Sequence, residues 1–325
     1  MTFAIRLQAP GGADQLEHVE IQLPALKPNE IRIRQTAIGV NFIDIYQRMG
    51  LYPLSADSIP GVEAVGVVEA VGDEVITLRV GDRIVYAGAP VGAYAAARNF
   101  PASRAVLIPH GLTDEAVVCA FLKGITAHML LTRVFPVGHG TTMLIHAAAG
   151  GLGQLMTRWA VHIGAMVIGT VGSDSKAAIA KACGARHVIV GRDADFPRAV
   201  AELTAGRGVD YAIDGIGGTT LAKSFGCVRP FGVVASIGQS AGSIPLVNVD
   251  DLGPRRSISL SRPSVMGYMN GIDDYRQSAA AVLIALSAGV IGGDGTAYPL
   301  RAAAEAHRDL ESGRTAGALY LVPER

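Results

Sequence analysis

Eight residues, His146 to Gly153 (HAAAGGLG), stand between an apolar run, TMLI, and a stretch with helical apolar spacing, QLMTRWAVHIG. Ala148, Gly150 and Gly153 keep the G-x-G-x-x-G spacing, with alanine in the first place. Small residues so spaced permit a tight turn and let backbone approach a pyrophosphate, and the last lets the helix pack close to its sheet. The N–H groups of Gly151, Leu152 and Gly153 would open that helix as an anion site. A glycine turn that serves packing alone is the alternative. The strand–turn–helix context favours a dinucleotide.

The next strand-like run, AMVIGTVGSDSK, bears on which dinucleotide. NAD sites place a carboxylate near this strand's end to bind the ribose 2′-OH. Here Val171 and Gly172 stand there, followed by Ser173 and Lys176, a hydroxyl and an ammonium suited to a 2′-phosphate. Asp174 fits NADPH only if it points away. Other chemical signatures are missing: HExxH, CxxC, GxxxxGK[ST] and GxSxG do not occur. The eight histidines are scattered, and His146 reads as packed at a strand end. The chemistry then falls to the cofactor, with the protein positioning two reactants.

The elements that must hold this site follow from patterning. EIRIRQTAIGV (30–40), VEAVGVVEAVG (62–72) and GDRIVYAG (81–88) are short Val- and Ile-rich runs broken by Gly, Pro and Asp, and predict a mostly β domain. Helical spacing begins after Thr113 in TDEAVVCAFLKGITAHMLLTRV. From 142 strands and helices alternate: helices end at Gly164 and Gly184, and HVIVG, VDYAIDGIG and GVVASIG follow as strands, which implies a parallel, right-handed Rossmann sheet. A helix (DDYRQSAAAVLIALSAG) and a strand (ALYLVP) close the chain.

At 325 residues and half hydrophobic, the chain carries two domains' worth of core. Acidic and basic residues balance at 28 each, so no nucleic-acid or membrane-surface footprint is expected. MTFAIRLQAPGG lacks a secretory h-region and no uninterrupted apolar run spans a bilayer. Cys119, Cys183 and Cys227 are odd in number and far apart, which speaks against disulfides or a zinc knuckle. A cytoplasmic protein is expected.

GVNFIDIYQRMGLYP (39–53), PGVEAVGVVEAVG (60–72), GDRIVYAG, FLKGITAHMLL, HAAAGGLG, GTVGS-x-x-K, VDYAIDGIG and SRPSVMGY, in this order, resemble the medium-chain dehydrogenase/reductase superfamily. Within it the chain is similar to the zinc-free NADPH:quinone oxidoreductases, the zeta-crystallin-like group, over nearly its whole length. The resemblance implies an α/β fold: a GroES-like, mostly β catalytic domain (1–122 and 263–325) and an inserted Rossmann domain (123–262). Where zinc alcohol dehydrogenases carry Cys-His and Gly-His-Glu, this chain has Asn41-Phe42 and Gly61-Val62-Glu63. Two ligand positions are therefore Asn41 and Val62, neither a zinc ligand. No metal is expected.

The resemblance further implies Asn41, Phe42 and Asp44 beside the nicotinamide ribose, Tyr46 and Tyr52 around the acceptor, and Thr126 beside the nicotinamide. Gly215, Ile216 and Gly217, then Gly238 and Ser240, would approach the cofactor, as would Arg262 and Arg314, the latter displaced one position from the family's arginine. Two departures stand out. HVIVGR replaces a tyrosine with Gly191 and puts Arg192 next, so Arg192 either grips the 2′-phosphate or faces solvent. Ala96 and Ala97 stand where residues are often larger. The expected reaction is metal-free hydride transfer from NADPH to a quinone or similar conjugated carbonyl, with Tyr46, Tyr52 and Asn41 as catalytic candidates. An enone or enoyl reductase, and a non-catalytic NADPH-binding protein, remain open alternatives. A homodimer is expected through an alternating edge strand, GSIPLVNV (242–249).

Overall fold

The computed structural model describes residues 1–254 and 256–324. Along the chain come strands β1 (Thr2–Leu7), β2 (Leu16–Ile21) and β3 (Glu30–Val40), helix α1 (Phe42–Arg48), strands β4 (Glu63–Val71), β5 (Arg83–Ala87), β6 (Ala97–Pro101) and β7 (Val106–Leu107), and helix α2 (Asp114–Met129). Then follow β8 (Thr142–Ile145), α3 (Gly151–Ile163), β9 (Met166–Val171), α4 (Asp174–Ala182), β10 (His187–Val190), α5 (Phe196–Leu203), β11 (Val209–Asp214), α6 (Gly218–Phe225), β12 (Val228–Ser236) and β13 (Ser259–Ser261). Helices α7 (Val265–Tyr268) and α8 (Ile272–Ser287), strand β14 (Gly295–Pro299), helix α9 (Ala303–Ser312) and strand β15 (Ala318–Val322) close the chain. Contacts divide it into two units, Met1–Lys123 with Met269–Arg325, and Gly124–Tyr268.

In the first unit β3 is the organiser. It pairs antiparallel with β4 along its length, with β6 over Glu30–Arg34, and with β15 over Ile38–Val40. Its inward residues Ile31, Ile33, Ile38 and Val40 meet Val68, Ile84, Tyr94, Leu319 and Leu321 in one apolar core. The C-terminal end of β3 is thus gripped on two sides, and the residue it delivers, Asn41, starts α1 from a fixed point. The short helix α1 was not anticipated from the sequence: a seven-residue segment carries less than two full helical periods, too little to register as a pattern.

The second unit is a six-stranded, all-parallel sheet in the order β10-β9-β8-β11-β12-β13. Numbered within the unit, this is 3-2-1-4-5-6, the doubly wound Rossmann order, with its reversal between β8 and β11. Leu144, Ile168, Val209, Ala212 and Val234 form the sheet's part of the core, against Phe196, Leu221 and Phe225 from the helices. The punctuation read from the sequence acts as expected at two ends: Gly164 closes α3 in the left-handed region (φ 94°), and Thr113 Oγ1 accepts the Ala116 N–H at the start of α2.

Two sequence expectations change. GSIPLVNV (242–249) is not a strand; it is extended loop leading to a 3-10 turn at Val249–Asp251, and the sheet edge is β13. Its alternation does not face a neighbour, since Ile244 and Val247 turn in against the core while Leu246 is fully exposed. The apolar stretch from Asp114 to Val134 has the length of a membrane span, but 67% of its most apolar window is buried in the protein, as in a core helix.

A buried carboxylate staples the Rossmann sheet. Asp210 on β11 accepts the Thr142 N–H of β8 (2.7 Å) and the guanidinium groups of Arg229 (2.5 Å) and Arg207 (2.9 Å). Asp210→Ala strands the Thr142 N–H and should cost about 2 kcal/mol, read as a lower urea midpoint with an unchanged slope. A midpoint equal to wild type would show that water replaces the staple.

Candidate functional site

The turn after β8 is shaped by what it leaves out. Ala147 lies in the left-handed region (φ 52°), and Gly150 donates its N–H to Ala147 O at 2.8 Å. A Cβ on Gly153 would overlap Ala147 O and come within 2.8 Å of Ala148 Cα. Only a residue without a side chain brings the first turn of α3 this close. Helix α3 begins at Gly151 with Gly150 as N-cap and no side-chain cap, so its leading N–H groups and its dipole face outward from the turn. Ala148 is fully buried against Gly169, where a Cβ would come within 2.7 Å of the Ala148 methyl.

The strand ends beyond it gather the other predicted residues of this unit. After β9, Ser173 stands at the N-cap position of α4 without a side-chain cap bond, and its hydroxyl meets Ser175 Oγ at 3.0 Å. The Arg192 side chain crosses Gly172, so that a Cβ there would lie 3.5 Å from Arg192 Cγ. Lys176 is the next cation: partial burial first, and the charge of Arg192 second, push its pKa down. Asp174 is exposed. Two neighbouring cations thus crown the end of the second strand.

At the sheet reversal, Asp214 ends β11 and its Oδ1 accepts the N–H groups of Ile216 (2.8 Å) and Gly217 (2.9 Å). This loop is zipped to the one after β12: Ser240 N–H donates to Gly215 O and Ala241 N–H to Ile216 O. Gly238 sits so near Gly215 that a Cβ would meet its carbonyl at 2.7 Å. Arg262 donates to Ser236 O and Oγ at the end of β12. His146 is buried, with Nδ1 2.9 Å from Thr170 Oγ1 and Nε2 2.9 Å from Ser224 Oγ, and burial lowers its pKa, as a packing role requires. Thr126 is partly buried on α2.

In the first unit Asn41 is the hub. Its Nδ2 donates to Glu63 Oε2 at 2.9 Å, and its Oδ1 accepts from Lys123 Nζ at 2.8 Å. The other Glu63 oxygen accepts the Leu122 N–H at 2.6 Å. A Cβ on Gly39 would overlap the Glu63 carboxylate, so the glycine of GVNF makes room for it. Burial raises the Glu63 pKa, and Lys123 opposes the rise. Phe42, Tyr46 and Tyr52 form a ring series, Phe42–Tyr46 at 6.0 Å and Tyr46–Tyr52 edge-on at 5.5 Å; Tyr46 is buried and Tyr52 is 36% exposed.

Comparison with known proteins completes the picture. Residues 27–118 match the alcohol dehydrogenase GroES-like domain family and residues 151–285 the zinc-binding dehydrogenase family. The chain is 39% identical to the 2-haloacrylate reductase of a Burkholderia species, over the full length of both. It is 36% identical to quinone oxidoreductase 1 of Escherichia coli (strain K12), covering 99% of this chain and 100% of the relative. The crystal structure of Escherichia coli quinone oxidoreductase complexed with NADPH superposes with a TM-score of 0.95 at 36% identity, covering 99% of this chain and 100% of the other. The chain belongs to the quinone oxidoreductase family.

In this member of the quinone oxidoreductase family one placement differs from the sequence expectation. Asp44 is wholly buried: its Oδ2 accepts the Asn41 N–H (2.8 Å) and the Tyr94 hydroxyl (3.2 Å). It therefore orients Asn41 from behind and cannot present its carboxylate to a ribose. Arg314 is exposed after α9, where its backbone N–H donates to Ser312 Oγ. Lys123 is not among the expected site residues; it lies in FLKGITAHMLL beside Thr126, and nothing local marks a lysine as half-buried. Among the described residues no group of His, Cys, Asp and Glu could hold a metal ion.

Burial also sets a pH signature. It pushes the Asp44 pKa up to about 7, with the Asn41 N–H and Tyr94 hydroxyl opposing. Folding then favours the protonated acid, so this stabilisation is present below the unfolded pKa and is lost as pH rises towards 7. Asp44→Asn keeps an acceptor for both donors without the charge. The variant's stability should fall less than that of wild type between pH 4 and 7 in parallel thermal melts. Parallel curves would mean that Asp44 titrates normally.

Proposed function

We propose that this protein is an NADPH-dependent oxidoreductase that reduces quinones or similar conjugated carbonyls by metal-free hydride transfer. The observation that carries the reading is the glycine-built turn Ala147–Gly153, leading into an uncapped helix at the sheet reversal. A pyrophosphate fits there: the cradle is one that a Cβ at Gly153 would fill, and donors point at it. Ala148, Gly150, Gly151, Leu152 and Gly153 would hold it. Gly172, Ser173, Lys176 and Arg192 would hold the 2′-phosphate, whose charge relieves the repulsion between the two cations. Gly215, Ile216, Gly217, Gly238, Ser240 and Arg262 would line the rest, with Thr126 and Phe42 towards the nicotinamide.

The bound dinucleotide supplies the hydride. The chain's own part is to orient and to exclude water. Asn41 is held in one amide orientation, because reversing it would set nitrogen against ammonium and oxygen against carboxylate. Tyr52 and Tyr46 would wall the acceptor. The relatives' names span a quinone and a haloacrylate, both conjugated acceptors, so the reading extends to enones. A cytoplasmic homodimer goes with it: β13 leaves an open sheet edge, and Phe231 and Val249, 81% and 75% exposed, lie in segments flanking it.

The decisive assay follows NADPH absorbance with quinones, 2-haloacrylates and enones, before and after chelator treatment. Turnover of at least one class, unchanged by the chelator, is expected. NADPH binding with no turnover of any acceptor would make the protein a non-catalytic binder. Arg192→Ala should raise KM for NADPH about tenfold, in the range of a charge-assisted contact, and leave KM for NADH unchanged. An equal rise for both would remove Arg192 from the phosphate site.

A further inference from the structure

Among the described residues Lys123 forms no ion pair. Its ammonium is half-buried and meets a neutral amide oxygen, Asn41 Oδ1, at 2.8 Å; among the described residues no carboxylate lies within ion-pair distance of it. The carboxylate that acts on it through space, Glu63, has both oxygens taken, by Asn41 Nδ2 and by the Leu122 N–H. Asp44, also within its field, has its hydrogen-bonded oxygen occupied by Asn41 N–H and the Tyr94 hydroxyl. An ammonium has three donors. One of them goes to Asn41 Oδ1, and on a side chain only partly buried the other two can meet a negative group.

The reaction class produces such a group. Hydride brings two electrons and a hydrogen to carbon from C4 of the dihydronicotinamide, which is oxidised. The acceptor's π pair moves to its carbonyl oxygen, which becomes an oxyanion. Water then supplies one proton, and the hydroxide left behind is taken up by buffer. Preorganised charge aimed at a developing oxyanion is the largest single lever a site of this type has.

We propose that Lys123 is the cation that meets the oxyanion formed on the acceptor, with Asn41 and Glu63 as the positioning residues that hold its ammonium in place; this rests on the reductase reading above. It also assigns a preference among substrates, for acceptors whose product carries a localised negative oxygen or that bear a carboxylate.

Two readouts on the full chain test it. The first is 4-nitrophenol, whose absorbance distinguishes the bound phenolate from the bound phenol, titrated with NADP+ present. Wild type should bind the anion about tenfold more tightly than the neutral form, one pKa unit of preference, and Lys123→Met should lose that preference. The second is turnover of a series of substituted benzoquinones. Lys123→Met should lower kcat about 10²-fold, most for the quinones with the most basic products, with KM for NADPH within about threefold of wild type. Lys123→Arg should recover most of the loss. If Lys123→Met does not fold, Lys123→Gln, which keeps a donor for Asn41 without the charge, decides by the same readouts. An unchanged anion preference, or a loss of kcat uniform along the series, overturns the role of Lys123. Wild-type protein that reduces no acceptor overturns the reductase reading itself.

Discussion

Everything in the dinucleotide half depends on one close approach, the first turn of α3 against the carbonyl of Ala147. With no side chain at Gly153, the helix start seats directly on the exit of β8, at the place where the sheet order reverses. The leading amides are then presented to one side without a cap, and the loops after β9 and β11 stand on either side of them. The Asp214 carboxylate and the buried His146–Ser224 pair hold the β11 exit to the same core. The turn is built from glycines and buried polar contacts.

The other half solves a different problem, how to keep charge inside an apolar domain. Two buried carboxylates and one ammonium surround a single amide. Glu63 has both oxygens hydrogen-bonded, and Asp44 is pushed towards neutrality by burial. The hydrogen bonds of Asn41 tie Glu63 and Lys123 into one cluster. The cluster also explains why β3 is paired on so many sides: its last residue must deliver Asn41 to a fixed point.

Much of this was legible in the amino-acid order. The Rossmann alternation, the turn at 146–153, the missing carboxylate after β9 and the helix ends at Gly164 and Gly184 all follow from local rules of period and capping. What could not be read was long-range. Lys123 and Asn41 are 82 positions apart in sequence, and only the folded sheet and α2 bring them within 2.8 Å. Asp44 is expected beside the ribose until α1 forms and turns it inward. GSIPLVNV alternates like a strand, yet its apolar residues serve a loop's packing, because β13 already completes the sheet.

The proposed seat of the phosphorylated dinucleotide is the set of amides opening α3. Hydrogen–deuterium exchange at single-residue resolution, with and without NADPH, measures this directly. Slowed exchange at Gly151, Leu152 and Gly153 is expected on addition of NADPH. Unchanged exchange at these three amides in protein saturated with NADPH would contradict it.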